Sequence, residues 1–311
     1  MQRFKNILLV LDPEGQETAS FDKAVLLAEQ NDARLTLFSV VYMHPDLRRY
    51  PGSVGETLLA PVVSDRRQWL QGFMPTLQEH GIVGETVVVT GVHFLEIIRE
   101  VLREQHDLLI ITAEEKKGIR ARVFGTNSMH LMRKCPCPVW VVKRAQTRLY
   151  ARILAAVDPS FYDPKRDSLN PLILQLAGSM ARKESAELHI VHVWHFFGER
   201  YVLKHSMTEE DVQEAKAQEK LQHKQHFDTL LSQVDITDLK PHLHLIEGDP
   251  EDCIPELVVE QGIDLLVMGT VCRTGIAGFL IGNTAEEILN QVDCSVLTLK
   301  PEGFVTPVTL E

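Results

Sequence analysis

Ile263-Asp264-Leu265-Leu266-Val267-Met268-Gly269-Thr270, running on through Val271-Cys272-Arg273-Thr274-Gly275-Ile276-Ala277-Gly278-Phe279-Leu280-Ile281-Gly282 to Asn283-Thr284-Ala285-Glu286-Glu287, decides the fold. The first six residues are a short apolar run of the kind that forms a buried parallel strand. The glycines punctuate a loop, and a helical pattern follows. A strand, a glycine loop and a helix start form a unit suited to an anion, because the first helical N–H groups are unpaired and the dipole is positive there. Asn283 is placed to cap the helix, with Glu286 three residues later as a capping box.

The same unit occurs twice. His106-Asp-Leu-Leu-Ile-Ile-Thr112 matches Ile263-Asp-Leu-Leu-Val-Met-Gly269, and Cys135-Pro-Cys-Pro-Val-Trp-Val-Val142 matches Val292-Asp-Cys-Ser-Val-Leu-Thr-Leu299. Upstream, Asn6-Ile-Leu-Leu-Val-Leu-Asp12-Pro13 recurs as Arg152-Ile-Leu-Ala-Ala-Val-Asp158-Pro159, and Arg34-Leu-Thr-Leu-Phe-Ser-Val40 as Glu187-Leu-His-Ile-Val-His-Val193. The spacing between copies is 146 residues from Asp12 to Asp158 and 157 from Thr112 to Gly269, so the second copy has gained eleven before its third strand.

Between strands the period turns helical. Phe21, Ala24, Val25 and Ala28 follow Ser20 as N-cap, and Leu172, Leu176 and Met180 follow Asn170-Pro171 as cap and first helical residue. Trp69, Phe73 and Leu77 mark a helix over about 63–80 that Pro75 kinks or ends, and Phe227, Leu230, Leu231 and Val234 close a long charged one from Thr208. Strands alternating with helices predict two α/β units of about five strands and four helices, over 1–146 and 147–311, the latter including a C-terminal tail from Pro301.

Whole-chain properties narrow the function. The chain has 311 residues, 44% of them hydrophobic and 24% charged, as in an ordinary globular protein. A net charge of −11 opposes a broad nucleic-acid interface. No apolar run reaches the ~18 residues of a membrane span. The start is too short for a signal-peptide core, and five cysteines without a disulfide spacing suit a reducing compartment, so a cytoplasmic location is expected.

The early strand ending in Asp, the Asp-Leu-Leu-Val-Met-Gly strand, the glycine loop and the Cys-Pro-Val final strand identify a resemblance: each half is similar to a universal stress protein domain, and the chain to the tandem members of that family. The resemblance implies Rossmann-like domains of strand order 3-2-1-4-5 that pack about a pseudo-two-fold axis as an intrachain pseudo-dimer, final strands touching. Further homodimerisation and protein partners are compatible with it. Ligands of such sheets sit beyond the strand ends where the order switches. This assigns ligand binding to Asp158, Pro159, Val193, Gly269, Thr270, Arg273, Gly282, Asn283 and Thr284, with a weaker twin at Asp12, Thr112, Gly125, Thr126 and Asn127.

Nucleotide-binding members carry Gly, two residues, Gly, nine residues, then Gly-Ser or Gly-Thr. The second half has Gly269, Cys272 and Gly282-Asn283 there, and the first Thr112, Glu115 and Gly125-Thr126. A Cβ at Cys272 narrows the backbone's freedom, and Glu115 opposes an anion by about 1 kcal/mol at water-like screening. ATP is therefore a weakened candidate in the second half and disfavoured in the first. No certain cofactor follows.

The expected function is a non-enzymatic stress-response protein that binds a small ligand in its second half and supports survival of stress, DNA damage included. Two alternatives stand: a slow ATPase or nucleotide switch, and a carrier of a lipid-like molecule. No nucleophile–base pair or carboxylate dyad argues catalysis. The basic run Lys116-Lys117-Gly118-Ile119-Arg120-Ala121-Arg122 reads as a solvated face. No metal site is expected, because His223 and His226, one turn apart, lack a third ligand, and His189, His192 and His195 straddle both faces of one strand. Cys137 and Cys294 sit at equivalent core positions, whereas Cys272 is placed as a redox-sensitive thiol.

Overall fold

The computed structural model describes residues 3–13, 15, 18–43, 52–114, 124–143, 149–159, 169–196, 208–270 and 282–310. Arg273, Cys272, Glu115 and the basic run over 116–122 lie outside these. Among the described residues the strands are β1 (Asn6–Val10), β2 (Arg34–Tyr42), β3 (Gly84–Gly91), β4 (Leu108–Thr112) and β5 (Val139–Val142). The second half supplies β6 (Arg152–Ala156), β7 (Glu187–Trp194), β8 (His242–Glu247), β9 (Leu265–Gly269) and β10 (Ser295–Leu299).

All ten form one sheet in the order β3-β2-β1-β4-β5-β10-β9-β6-β7-β8. Pairing is parallel within each half and antiparallel at the seam, where Val141 faces Val296 and Trp140 faces Leu297. Two copies of one strand meeting antiparallel is the isologous contact that a two-fold relation generates. The tandem α/β architecture is thus that of two Rossmann-like units sharing a sheet.

Nine helices are found among the described residues: α1 (Thr18–Asn31), α2 (Gly52–Gln71), α3 (Met74–Glu79), α4 (His93–Glu104), α5 (Thr126–Lys134), α6 (Leu169–Glu184), α7 (Glu209–Ser232), α8 (Pro250–Glu260) and α9 (Asn283–Gln291). They cover both faces, which is why the strands read as continuous apolar runs. The two-residue period of a strand is visible in β1, where Ile7 and Leu9 join Phe21, Ala24 and Ala28 of α1, while Leu8 joins the core of α4 and α5. In the second half α6 and α7 lie on the first of these faces, and α8 and α9 on the other.

Several expected helix starts are displaced. Gly282, not Asn283, is the N-cap of α9, and no side-chain cap bond forms there, so Asn283 is the first helical residue. Ser20 lies inside α1 and bonds Thr112 at the end of β4 at 2.7 Å instead of capping. Asn170 lies inside α6 and holds the backbone of Asp158. The predicted helix over 63–80 is two, broken at Gly72-Phe73 with Pro75 in the first turn of α3, where its missing N–H costs nothing. Thr208 does cap α7, in a reciprocal capping box with Asp211.

Buried polar contacts tie the halves together. Lys23 of α1 meets Glu184 of α6 at 3.5 Å with both side chains 7% exposed. Burial outweighs their attraction, pulling the Lys23 ammonium down and the Glu184 carboxyl up from their ordinary values. Glu184 also accepts from the Tyr150 backbone N–H, and Trp140 Nε1 donates to the Tyr150 hydroxyl at 3.1 Å. On the other face Lys300, just past β10, donates to the Met132 carbonyl at 2.6 Å and to Thr270 Oγ1. The tail crosses to the first half, where Thr309 O accepts from Arg99 Nε at 3.1 Å. Cys135, Cys137 and Cys294 are buried free thiols in the core, as packing residues.

Candidate functional site

Where β6 and β9 end side by side, at the point where the strand order reverses, an open cleft of about 340 Å³ lies between sheet and helices. It gathers residues far apart in sequence: Asp158 after β6, Val193 near the end of β7, Gly269 at the end of β9, and Gly282, Asn283 and Thr284 at the start of α9. The helix start aims its unpaired N–H groups and positive dipole end at this space.

Asp158 is fixed through its backbone. Asn170 Oδ1 accepts from its N–H at 3.0 Å, and Asn170 Nδ2 donates to its carbonyl at 2.9 Å, so one amide clamps both polar groups of the turn. Behind it His192, 1% exposed, places Nε2 2.9 Å from His223 Nδ1 of α7. Burial brings His192 down to about 4 despite the nearby Asp158 carboxylate, so the imidazole is neutral at physiological pH.

Gly269 is needed for close packing. A Cβ built there would stand 2.6 Å from Leu169 Cδ2, so the end of β9 and the first turn of α6 meet over a hydrogen atom. The floor and walls are apolar: Leu169, Ile173, Ile254, Met268 and Ile288 supply most of them. Leu169, Asn170 and Ile173 were not expected at the site. Their signal is the helical spacing after Asp158-Pro159, which assigns them to a helix without saying which residues of its first turn face the ligand side.

Two expected ligand residues do not line the cleft. Thr270 is fully buried, with its N–H on Leu299 O at 3.1 Å and its hydroxyl taking the Lys300 ammonium. Pro159 is buried and does not line the cleft.

The twin in the first half is furnished from within. Glu114 lays its carboxylate over the start of α5, so that a Cβ at Gly125 would overlap Glu114 Oε2, and Asn127 Nδ2 donates to Glu114 Oε1 at 2.8 Å. The chain's own carboxylate thus fills the space over Gly125 and is held by the Asn127 side-chain amide. Thr112 bonds Ser20, and Asp12 Oδ1 lies 3.8 Å from Arg66 Nη1, whose guanidinium also donates to Ser39. A negative charge at this loop is therefore supplied by Glu114, one residue before Glu115.

Known proteins resemble this chain along nearly its whole length. The family model described as "Universal stress protein family" matches residues 3–143 and again 149–300. Universal stress protein E of Photorhabdus laumondii is 29% identical over 99% of this chain and 98% of its own length. The protein of that name from Salmonella typhi is 27% identical over 100% and 99%. Among solved structures, a putative universal stress protein from Pseudomonas aeruginosa superposes with a TM-score of 0.71 at 26% identity, covering 97% of this chain and 95% of the other. A functionally unknown protein of the same species gives 0.71 at 25% identity, with 97% and 94% covered.

Proposed function

The chain belongs to the universal stress protein family, in its tandem form, which supports a stress-response role; from that premise we propose that it is a non-enzymatic binding protein whose second half carries the ligand site. The domains divide at 146/147, and the protein works in the cytoplasm, supporting survival under starvation, oxidative and DNA-damaging stress through ligand-dependent contacts with partners.

One observation carries this reading: Asp158, Gly269 and the Gly282–Thr284 helix start converge on a cleft with an apolar floor. Such a cleft suits a molecule with a flat or aliphatic body and an anionic end. Val193, Ile173 and Met268 contact the body, and Asp158 takes a hydroxyl or amine. Gly269 and Gly282 permit close approach, Asn283 and Thr284 bind the anionic part through backbone and side chain, and Arg273 adds its charge.

Calorimetric titration of the purified protein with ATP and Mg²⁺, and native mass spectrometry without added ligand, test the proposal. Binding in either experiment, weakened about tenfold or more by Asp158→Ala, supports it. Absence of both heat and a co-purified mass overturns it, and phosphate release above background would move the protein to the slow ATPase class. The apolar lining gives the carrier reading its own support, and an aliphatic co-purified mass would select it.

A further inference from the structure

At the opposite end of the second half's sheet, where β7 and β8 begin, side chains of a different chemistry collect. Glu187 and His189 are alternate residues of β7 and share a face. His242 of β8 is the register partner of His189, and His244 follows two residues on, so all four groups stand on the face covered by α8 and α9. One ligand atom from each of Glu187, His189 and His242 lies within 4.8 Å of the other two. The His189 ring lies 4.7 Å from that of His242 and 5.3 Å from that of His244, near parallel to both.

The two nitrogens of His189 have different surroundings. Nδ1 is 3.1 Å from His244 Nε2, a hydrogen bond that fixes the ring. Nε2 is buried, makes no hydrogen bond, and has Glu187 Oε2 3.9 Å away. A buried imidazole nitrogen without a hydrogen-bond partner, steadied from its far side and accompanied by a carboxylate and a second imidazole, is the arrangement of a metal-ligating histidine with its outer-shell partner.

The repeat supplies a control. The corresponding positions of the first half hold Arg34, Thr36 and Glu85, which satisfy each other: Thr36 Oγ1 donates to Glu85 Oε1 at 2.9 Å, and Arg34 Nη2 lies 3.6 Å from the same oxygen. The fold at this place therefore requires no imidazole.

We propose that Glu187, His189 and His242 form a site for a divalent transition-metal ion of the Zn²⁺, Co²⁺ or Ni²⁺ type, with His244 orienting His189. Two nitrogens and one oxygen without thiolate match these borderline ions and not Ca²⁺ or Mg²⁺, which demand oxygen. Tetrahedral bonds of about 2.0–2.2 Å bring ligand atoms to roughly 3.3 Å apart. The contraction falls to Glu187 and His242, both exposed and able to move, while buried His189 stays. Glu187 exchanges an exposed ion pair with Arg152, 3.1 Å away, for the metal. The ion would join edge strand β8 to β7, and water would complete its coordination.

The test uses tag-free, full-length protein dialysed against chelator, titrated with Zn²⁺ by calorimetry and with Co²⁺ by visible absorption. One ion per chain at micromolar affinity or tighter is expected, with His242→Ala and Glu187→Gln weakening it at least about tenfold and His244→Ala about tenfold. His223→Ala, which alters the separate His192–His223 pair, leaves the titration unchanged. Absence of saturable binding, binding that survives His242→Ala, or loss through His223→Ala each overturns the site. Because Glu187 and His242 are exposed, their variants keep the fold, which circular dichroism verifies.

Discussion

Replacing Lys300 by methionine probes how the two halves are held around the loop-bearing strand. Lys300 is 8% exposed, and its ammonium donates to Met132 O of the first half and to Thr270 Oγ1 of the second. Burial nevertheless lowers its pKa from 10.5 to about 7. The folded protein then releases this proton near neutrality, whereas the unfolded chain keeps it until about 10.5. Between those values the unfolded state binds more protons, so stability rises with pH.

Worked through the linkage relation, the cost of burying the group falls from about 4 kcal/mol at pH 7 to about 2 at pH 9, a rise in stability of about 2 kcal/mol. Buried Cys137 and Cys294 act in the opposite sense, since burial raises their thiols and favours the unfolded thiolate at high pH. The difference between wild type and Lys300→Met removes them from the comparison. Urea titrations of both proteins at pH 7, 8 and 9 are expected to show the wild type gaining about 2 kcal/mol on the variant. A difference that stays flat would refute the reasoning, and would mean that the Met132 carbonyl and Thr270 hydroxyl hold the ammonium charged throughout.

Three further outcomes are expected. His192, lowered to about 4, binds protons more readily when unfolded. Its share of stability therefore falls as pH drops from about 6.5 toward 4, by about 2 kcal/mol between pH 7 and 5, and His192→Asn should lessen the acid loss by about that amount, leaving the part that buried His189 contributes. Glu184→Ala leaves Lys23 buried without its carboxylate and should cost about 3–5 kcal/mol in urea unfolding, with Lys23→Met in the same chain recovering much of it. Gly269→Ala pushes Leu169 Cδ2 aside, and should cost about 1–3 kcal/mol while weakening whatever ligand calorimetry detects.

The repeat made most of the architecture legible. Apolar runs of five or so residues, recurring with turns and helical periods between them, specify a parallel sheet covered twice, and that prediction depended on no single residue. Helix starts were less legible. Ser20, Asn170 and Asn283 all have cap chemistry, yet each lies within its helix, because side-chain competition is decided by tertiary partners: Thr112 for Ser20, and the Asp158 backbone for Asn170. Proximity across strands was least legible. Taken by itself β7 shows histidines on both faces, but the two imidazoles beside His189, those of His242 and His244, come from β8, more than fifty residues on, through a register that no local pattern reveals. Glu114 is illegible for a similar reason, since Gly125, which it overlies, is eleven residues on.

The antiparallel seam between β5 and β10 carries a consequence for synthesis. β5 is complete at Val142, but the strand that covers its edge ends only at Leu299, 157 residues later. At roughly 5–20 residues per second, the first half waits about 8–30 s on the ribosome with the bare backbone of Val139-Trp140-Val141-Val142 as an open edge. Neighbouring nascent chains on one message would present the same self-complementary edge to each other. Tandem fusion answers that hazard by raising the local concentration of the correct partner, and a chain cut within 144–148 should yield fragments that either reassemble together or pair with their own kind.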